Sequence, residues 1–181
     1  MHISNYKIFY FINEFNKENL LKLPKNVSVI YRNYKKNYSK NDIKMIKVFC
    51  KKIRLKFYLA NDINMAIKLN LDGAYIPSFD KSLKCRKLNI NSTFELIGSA
   101  HNFKELFQKK RQNIKTIFLS PVFKDTKNNK SLGLNKYRSL IKFSNLKYVV
   151  LGGVNKENLK KLNILNCIGF ASISYIKNLT T

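Results

Sequence analysis

"TIFLSPV", residues 116–122, is the stretch from which the fold can be read. Its first four residues are β-branched, aromatic or aliphatic and do not alternate with polar ones. That is the pattern of a strand buried on both faces. Ser120-Pro121 then breaks the run. Behind it come Phe123 and a loop of donors, "KDTKNNKSLG" (124–133), that closes on Leu-Gly. A long polar loop following a core strand is either disordered or built to hold something.

The same pattern recurs in both directions along the chain. Apolar runs lie at "KIFYFI" (7–12), "VSVIYR" (27–32), "FYLAN" (57–61), "GAYIPS" (73–78), "FELIGSA" (94–100), "YVVLGGV" (148–154) and "IGFASIS" (168–174), making eight with the first. Helical patterns separate them. Ile43, Ile46 and Ile53 keep a helix period with Lys44, Lys47, Lys51 and Lys52 outside. Phe103, Leu106 and Phe107 follow Asn102, and Leu159 and Leu162 follow Asn155, an N-cap residue type, with Asn158 in the first turn. Residues 63–71 and 136–143 give shorter helices, and 18–22 barely one turn. Alternating β and α elements make a parallel sheet with right-handed crossovers. Eight repeats favour a closed barrel: a compact (β/α)8 TIM-type barrel with shortened outer helices, one domain over residues 1–181. Such barrels commonly run to about 250 residues, so the outer layer has to be trimmed.

Composition narrows the function. No apolar run approaches the roughly 20 residues that span a bilayer, and "MHISNYKIFYFINEF" has no signal-peptide cleavage pattern. A cytoplasmic protein with no membrane partner is expected. The cysteines, Cys50, Cys85 and Cys167, are odd in number and far apart. They suggest neither disulfides nor zinc, but buried or half-buried free thiols. A net charge of +25 invites a nucleic-acid reading. Against it, the lysines are scattered, with Lys51-Lys52, Lys109-Lys110-Arg111 and Lys160-Lys161 all assigned to helix surfaces. No RRM, KH or zinc-finger signature accompanies them. Anionic small substrates use positive charge equally well.

Each apolar run ends in polar residues: Arg32, Asn61-Asp62, Ser78 with Asp80, Ser99 with His101, Ser120, Gly152-Gly153 and Ser174. Parallel strands bring all of these ends to one rim, where the βα loops of a barrel build its active site. The loop after strand six would overhang it with Lys124, Thr126, Lys127 and Lys130. Cations (Arg32, Lys35, Lys127), an amide (Asn61), a hydroxyl (Ser99) and two carboxylates (Asp62, Asp80) suit a Mg²⁺-diphosphate. Glycines after strand seven suit a second phosphate. Each residue also has a plainer reading. Asp62 and Asp80 could cap helices, Gly152-Gly153 could be a turn, and His101 could be structural. Their joint position makes the case for a site.

In this order the motifs resemble the thiamine phosphate synthase/TenI family. The matching pieces are "YRNYK" (31–35), "ND" (61–62), "DGAYIPSFD" (72–80), "IGSAH" (97–101), "SPVFKDTK" (120–127), "LG" (132–133), "LGGVNKEN" (151–158) and "GFASIS" (169–174). The resemblance implies coupling of a pyrimidine diphosphate to a thiazole phosphate with loss of pyrophosphate. It implies Mg²⁺ on Asp62 and Asp80, and the diphosphate on Arg32, Asn61, Ser99 and Lys127. The thiazole phosphate falls to Gly152, Gly153 and the Ser174 backbone. Tyr31, Lys35 and Thr126 are placed among the substrate contacts. Partners are thus phosphorylated pyrimidine and thiazole molecules, and the trimmed outer layer hints at a homo-oligomer. The chain departs from the family at Ile30, Tyr75, Pro77 and Ser78, where pyrimidine-recognising residues are expected, and at Lys124, where a proline is. Those departures keep two alternatives open: a TenI-like thiazole tautomerase with His101 as acid/base, and a barrel that binds a thiamine precursor without turnover.

Overall fold

The computed structural model describes residues 6–34, 38–124, 131–142 and 145–176. Its strands are β1 (Lys7–Ile12), β2 (Val27–Tyr31), β3 (Lys56–Ala60), β4 (Gly73–Ile76), β5 (Glu95–Ala100), β6 (Thr116–Leu119), β7 (Lys147–Leu151) and β8 (Gly169–Ala171). All pair in parallel and in chain order, and β1 closes on β8 with Ile8 opposite Phe170. The expected closed barrel is therefore present. Several strands stop earlier than the apolar runs do. Pro77 and Pro121 carry no N–H for a ladder, and Gly152 turns to φ +88°. The polar residues consequently begin just past each strand.

Successive strand residues face opposite ways, and this parity sorts the core into two parts. Phe9, Phe11, Tyr58, Tyr75 and Phe118 turn inward with smaller residues and fill the barrel. Their rings meet edge to face, with centroids 4.8 Å apart for Phe9–Phe118, 5.3 Å for Phe11–Tyr75 and 5.6 Å for Tyr75–Phe118. Each such pair adds about 0.5–1.5 kcal/mol beyond its buried area. The outward face packs under the helices α1 (Lys17–Leu21), α2 (Lys40–Lys52), α3 (Ile63–Lys68), α4 (Phe103–Arg111) and α5 (Gly133–Lys142). These helices are short, and two crossovers carry 3₁₀ turns instead, Lys84–Lys87 after β4 and Leu159–Ile164 after β7. The helix expected after Asn155 is the second of these. Asn155 and Asn158 lock each other there, each backbone N–H donating to the other's side-chain oxygen at 3.0 Å.

Most helix ends are written locally. Asn16, Ser39, Asp62 and Asn102 are N-caps whose side chains accept from the backbone three residues on. Arg54, Asn70, Asn113 and Asn166 take positive φ where α2, α3, α4 and the last 3₁₀ turn give way to the next strand. Three of the four are asparagine, the non-glycine residue that best tolerates this region. The floor is closed at the strands' N-terminal end. The Tyr58 hydroxyl donates to Glu95 at 2.6 Å, Lys7 Nζ donates at 3.4 Å, and Lys56 lies 4.0 Å away. Burial alone would raise the Glu95 carboxyl, but these partners outweigh it and hold it below its ordinary value. All three cysteines are free, and burial pushes the Cys50 thiol up to about 12.

Candidate functional site

The first residues past three strands are fixed by backbone bonds that prolong the ladder. Arg32 donates its N–H to Ile12 O at 2.8 Å, Asn61 to Tyr75 O at 2.9 Å, and Ser120 to Ala100 O at 3.2 Å. One rim is thus defined. On it the Arg32 guanidinium lies over the Phe11 ring, 4.8 Å from its centroid, and 6.0 Å from that of Tyr34. Stacking covers the flat face of the cation and leaves its edge N–H groups for anions.

Asn61 adopts φ +62°, which turns the chain sharply so that Asp62 can cap α3. One Asp62 oxygen accepts from Met65 N at 2.9 Å. On the neighbouring strand's loop, one Asp80 oxygen accepts from Ser82 N at 2.8 Å. Asp62 is therefore a helix cap and Asp80 braces a turn. Each also keeps a second oxygen with no hydrogen bond among the described residues. No group of three or more His, Cys, Asp and Glu occurs among the described residues that could cage a metal by itself. Two half-committed carboxylates on adjacent strand ends fit Mg²⁺ better than a caged ion, because Mg²⁺ takes one or two carboxylates and completes its shell with water and phosphate.

Ser99 is buried beside Tyr75 and acts on its hydroxyl against the effect of burial. Burial pushes the Tyr75 hydroxyl far above its ordinary range, so it remains a neutral phenol. His101 lies apart from this group. It is exposed, and its backbone N–H and Nδ1 both meet Glu105 Oε2 of α4 at 2.8 Å. Tyr31 also departs from the expected picture. Its ring belongs to the outer core and packs edge-on against Tyr38 at 5.6 Å, so β2 turns Ile30, not Tyr31, toward the lumen.

Gly152 and Gly153 have φ of +88° and +68°. A Cβ on Gly152 would come within 2.7 Å of Pro121, and one on Gly153 within 2.7 Å of the Phe123 carbonyl. The loops after β6 and β7 touch backbone to backbone here, with Phe123 N donating to Gly152 O at 3.2 Å. The Gly153 N–H meets no acceptor among the described residues, which leaves it available to a phosphate. Ser174 is exposed in the last described turn, where one N–H is met by the buried Ser172: Tyr175 N donates to Ser172 Oγ at 3.2 Å. Lys35, Thr126 and Lys127 lie outside the described residues, so the rim is built here from Arg32, Asn61, Asp62, Asp80, Ser99 and the glycines.

Two features of this rim escaped the sequence. Tyr34 and Phe79, both exposed, meet edge to face at 5.4 Å and join the loops after β2 and β4. Lys109, assigned to a helix surface, is instead fully buried. Its position three residues after Leu106 puts it on the inward face of α4. Burial draws its ammonium down to about 8.

A family model described as thiamine monophosphate synthase matches residues 18–176. A thiamine-phosphate synthase of Pelagibacter ubique (strain HTCC1062) is 32% identical over 176 residues, covering 92% of this chain and 83% of that one. Another, of Prochlorococcus marinus (strain CCMP1986 / NIES-2087 / MED4), is 29% identical over 157 residues; this chain spans 44% of its length. Among solved structures, a thiamine phosphate pyrophosphorylase from Pyrococcus furiosus superposes with a TM-score of 0.75 at 16% identity, covering 98% of this chain and 93% of that one. At that identity the superposition speaks for the barrel alone.

Proposed function

This chain belongs to the thiamine monophosphate synthase family, and from that membership we propose that it joins a hydroxymethylpyrimidine diphosphate to a thiazole phosphate, giving thiamine phosphate and pyrophosphate. The observation that carries the reading beyond membership is the pair Asp62 and Asp80, each with one oxygen tied to a backbone N–H and one with no hydrogen bond among the described residues.

Asp62 and Asp80 would hold Mg²⁺, which supplies charge neutralisation for the diphosphate. Arg32, pre-oriented on Phe11, takes diphosphate oxygens with its free edge. Asn61 and the Ser99 hydroxyl bind beside it, and Lys127, with Lys35 and Thr126, is assigned to the same group by family resemblance. Donors aimed at the departing pyrophosphate lower the barrier to breaking the bond between the pyrimidine methylene carbon and the diphosphate oxygen. The thiazole ring nitrogen then supplies the electron pair for the new C–N bond. Its phosphate is anchored at Gly152, Gly153 and the Ser174 backbone. No helix among the described residues is long and apolar enough to cross a membrane, and we place the reaction in the cytoplasm.

Pyrimidine selection is the weakest part of the site. Ile30 and Tyr75 are buried in the aromatic barrel filling and offer the heterocycle little hydrogen bonding. A site without matched polar partners discriminates poorly among analogues.

The test is thiamine phosphate formation by the purified chain with both substrates, with and without Mg²⁺. Metal-dependent product that disappears in Asp80→Asn is expected. Absence of product in the presence of metal, with thiazole phosphate still raising the melting temperature, would reduce the protein to a binder. The His101–Glu105 pair favours one second reading, a tautomerase. That activity would survive chelation and be lost in His101→Ala.

A further inference from the structure

Behind the rim, α4 straps down the loop that carries Asp80. The Lys109 ammonium has three N–H donors. It donates to Pro77 O at 2.6 Å, to Asp80 O at 2.9 Å and to Gln112 Oε1 at 2.9 Å. Gln112 Nε2 donates to Asp80 O at 3.0 Å and to Ser82 O at 2.8 Å. Both side chains are fully buried, and every donor that they carry is used. Room for the lysine stem comes from β5. At Gly98 a Cβ would stand 3.1 Å from Lys109 Cδ.

No carboxylate forms an ion pair with this ammonium among the described residues; its three hydrogen bonds all go to carbonyl oxygens. An apolar side chain could join a helix to a loop at lower desolvation cost. What the pair provides is direction. Three carbonyls across residues 77–82 are pinned from one side, and two of the bonds converge on the Asp80 carbonyl. The Asp80 carboxylate belongs to that same residue, and one of its oxygens accepts from Ser82 N in the same loop.

We infer that Lys109 and Gln112 are positioning residues for the metal-diphosphate half of the site, holding the Asp80 loop in the geometry that its carboxylate needs. This rests on the function proposed above. Supporting groups of this kind typically change metal affinity by about 10- to 100-fold.

The experiment uses the full chain with Mn²⁺ and inorganic pyrophosphate as the probe. Bound Mn²⁺ is counted by electron paramagnetic resonance, and amide exchange is followed over residues 78–82. In Lys109→Met, Mn²⁺-pyrophosphate affinity should fall about 10- to 100-fold and exchange in the loop should accelerate. Thiazole phosphate binding, whose proposed contacts lie past β7 and β8, should be unchanged. Gln112→Glu keeps an acceptor for Lys109 and removes the donors to Asp80 O and Ser82 O, so it should show the same selective loss. A folded variant with wild-type Mn²⁺-pyrophosphate affinity overturns the inference. So does loss of fold in both variants, which would make the pair a structural staple. Failure of the unaltered chain to bind Mn²⁺-pyrophosphate would instead defeat the functional reading first, and this inference along with it.

Discussion

The two sides of the rim are held in opposite ways. On the β4 side the loop is fixed by added atoms: buried Lys109 and Gln112 reach across from α4 and pin its carbonyls. On the β7 side the turn is fixed by missing atoms: Gly152 and Gly153 let the β6 loop lie directly on the backbone. The first kind of support can be loosened by removing a donor. The second tolerates no addition. Under the proposed function, the carboxylate assigned to a metal-phosphate complex is thus tuned by side chains, whereas the N–H groups assigned to a second phosphate are set by backbone shape.

The sharpest way to break the contrast is Gly153→Ala. Positive φ and the close Phe123 carbonyl should together cost roughly 3 kcal/mol, read as a lower urea midpoint with an unchanged slope. A variant as stable as the parent would remove the backbone argument. On the other side, Asp62 can be divided into its two duties. Asp62→Ala should lose about 1 kcal/mol of stability as a cap, whereas Asp62→Asn should keep it. Both should lower turnover by about a hundredfold or more. Equal stability of the two variants would show that the cap contributes nothing.

Satisfaction of buried polar groups offers a smaller test. Lys109 is fully partnered, whereas the buried Tyr137 hydroxyl of α5, the next helix along the chain, has no partner among the described residues. Tyr137→Phe should therefore leave stability unchanged or raise it by up to about 1 kcal/mol; a lower melting temperature would contradict this. The smallest effect is at the floor. The folded-state carboxyl of Glu95 lies below its ordinary value of 4.5. Its contribution is present above the unfolded value and is lost as pH falls through the folded one. Glu95→Gln should accordingly flatten the acid limb of stability below about pH 4.5, as followed by thermal melts across pH.

The barrel was legible because eight apolar runs each end in polar residues, and parallel pairing leaves such ends only one rim to share. Strand lengths were overread where Pro77, Pro121 and Gly152 interrupt backbone pairing without interrupting hydropathy. Tyr31 was readable in principle: it follows Ile30, and consecutive strand residues cannot both face the lumen. Lys109 was not. A lysine within "KKR" reads as solvated surface, and only the tertiary arrangement supplies the three carbonyls that make burial tolerable. Tyr34 and Phe79 lie 45 residues apart in the sequence, and no local pattern links them.

That last pair has a consequence in time. The Tyr34–Phe79 contact joins the loops after β2 and β4 across the end of β3 and keeps both rings partly in water. An edge contact of about 1 kcal/mol corresponds to a factor of about five in population. At any instant roughly one molecule in six therefore has the bridge parted, and side-chain excursions of this kind recur within nanoseconds. The link between the two loops is therefore one that breaks and re-forms within nanoseconds rather than a permanent clamp.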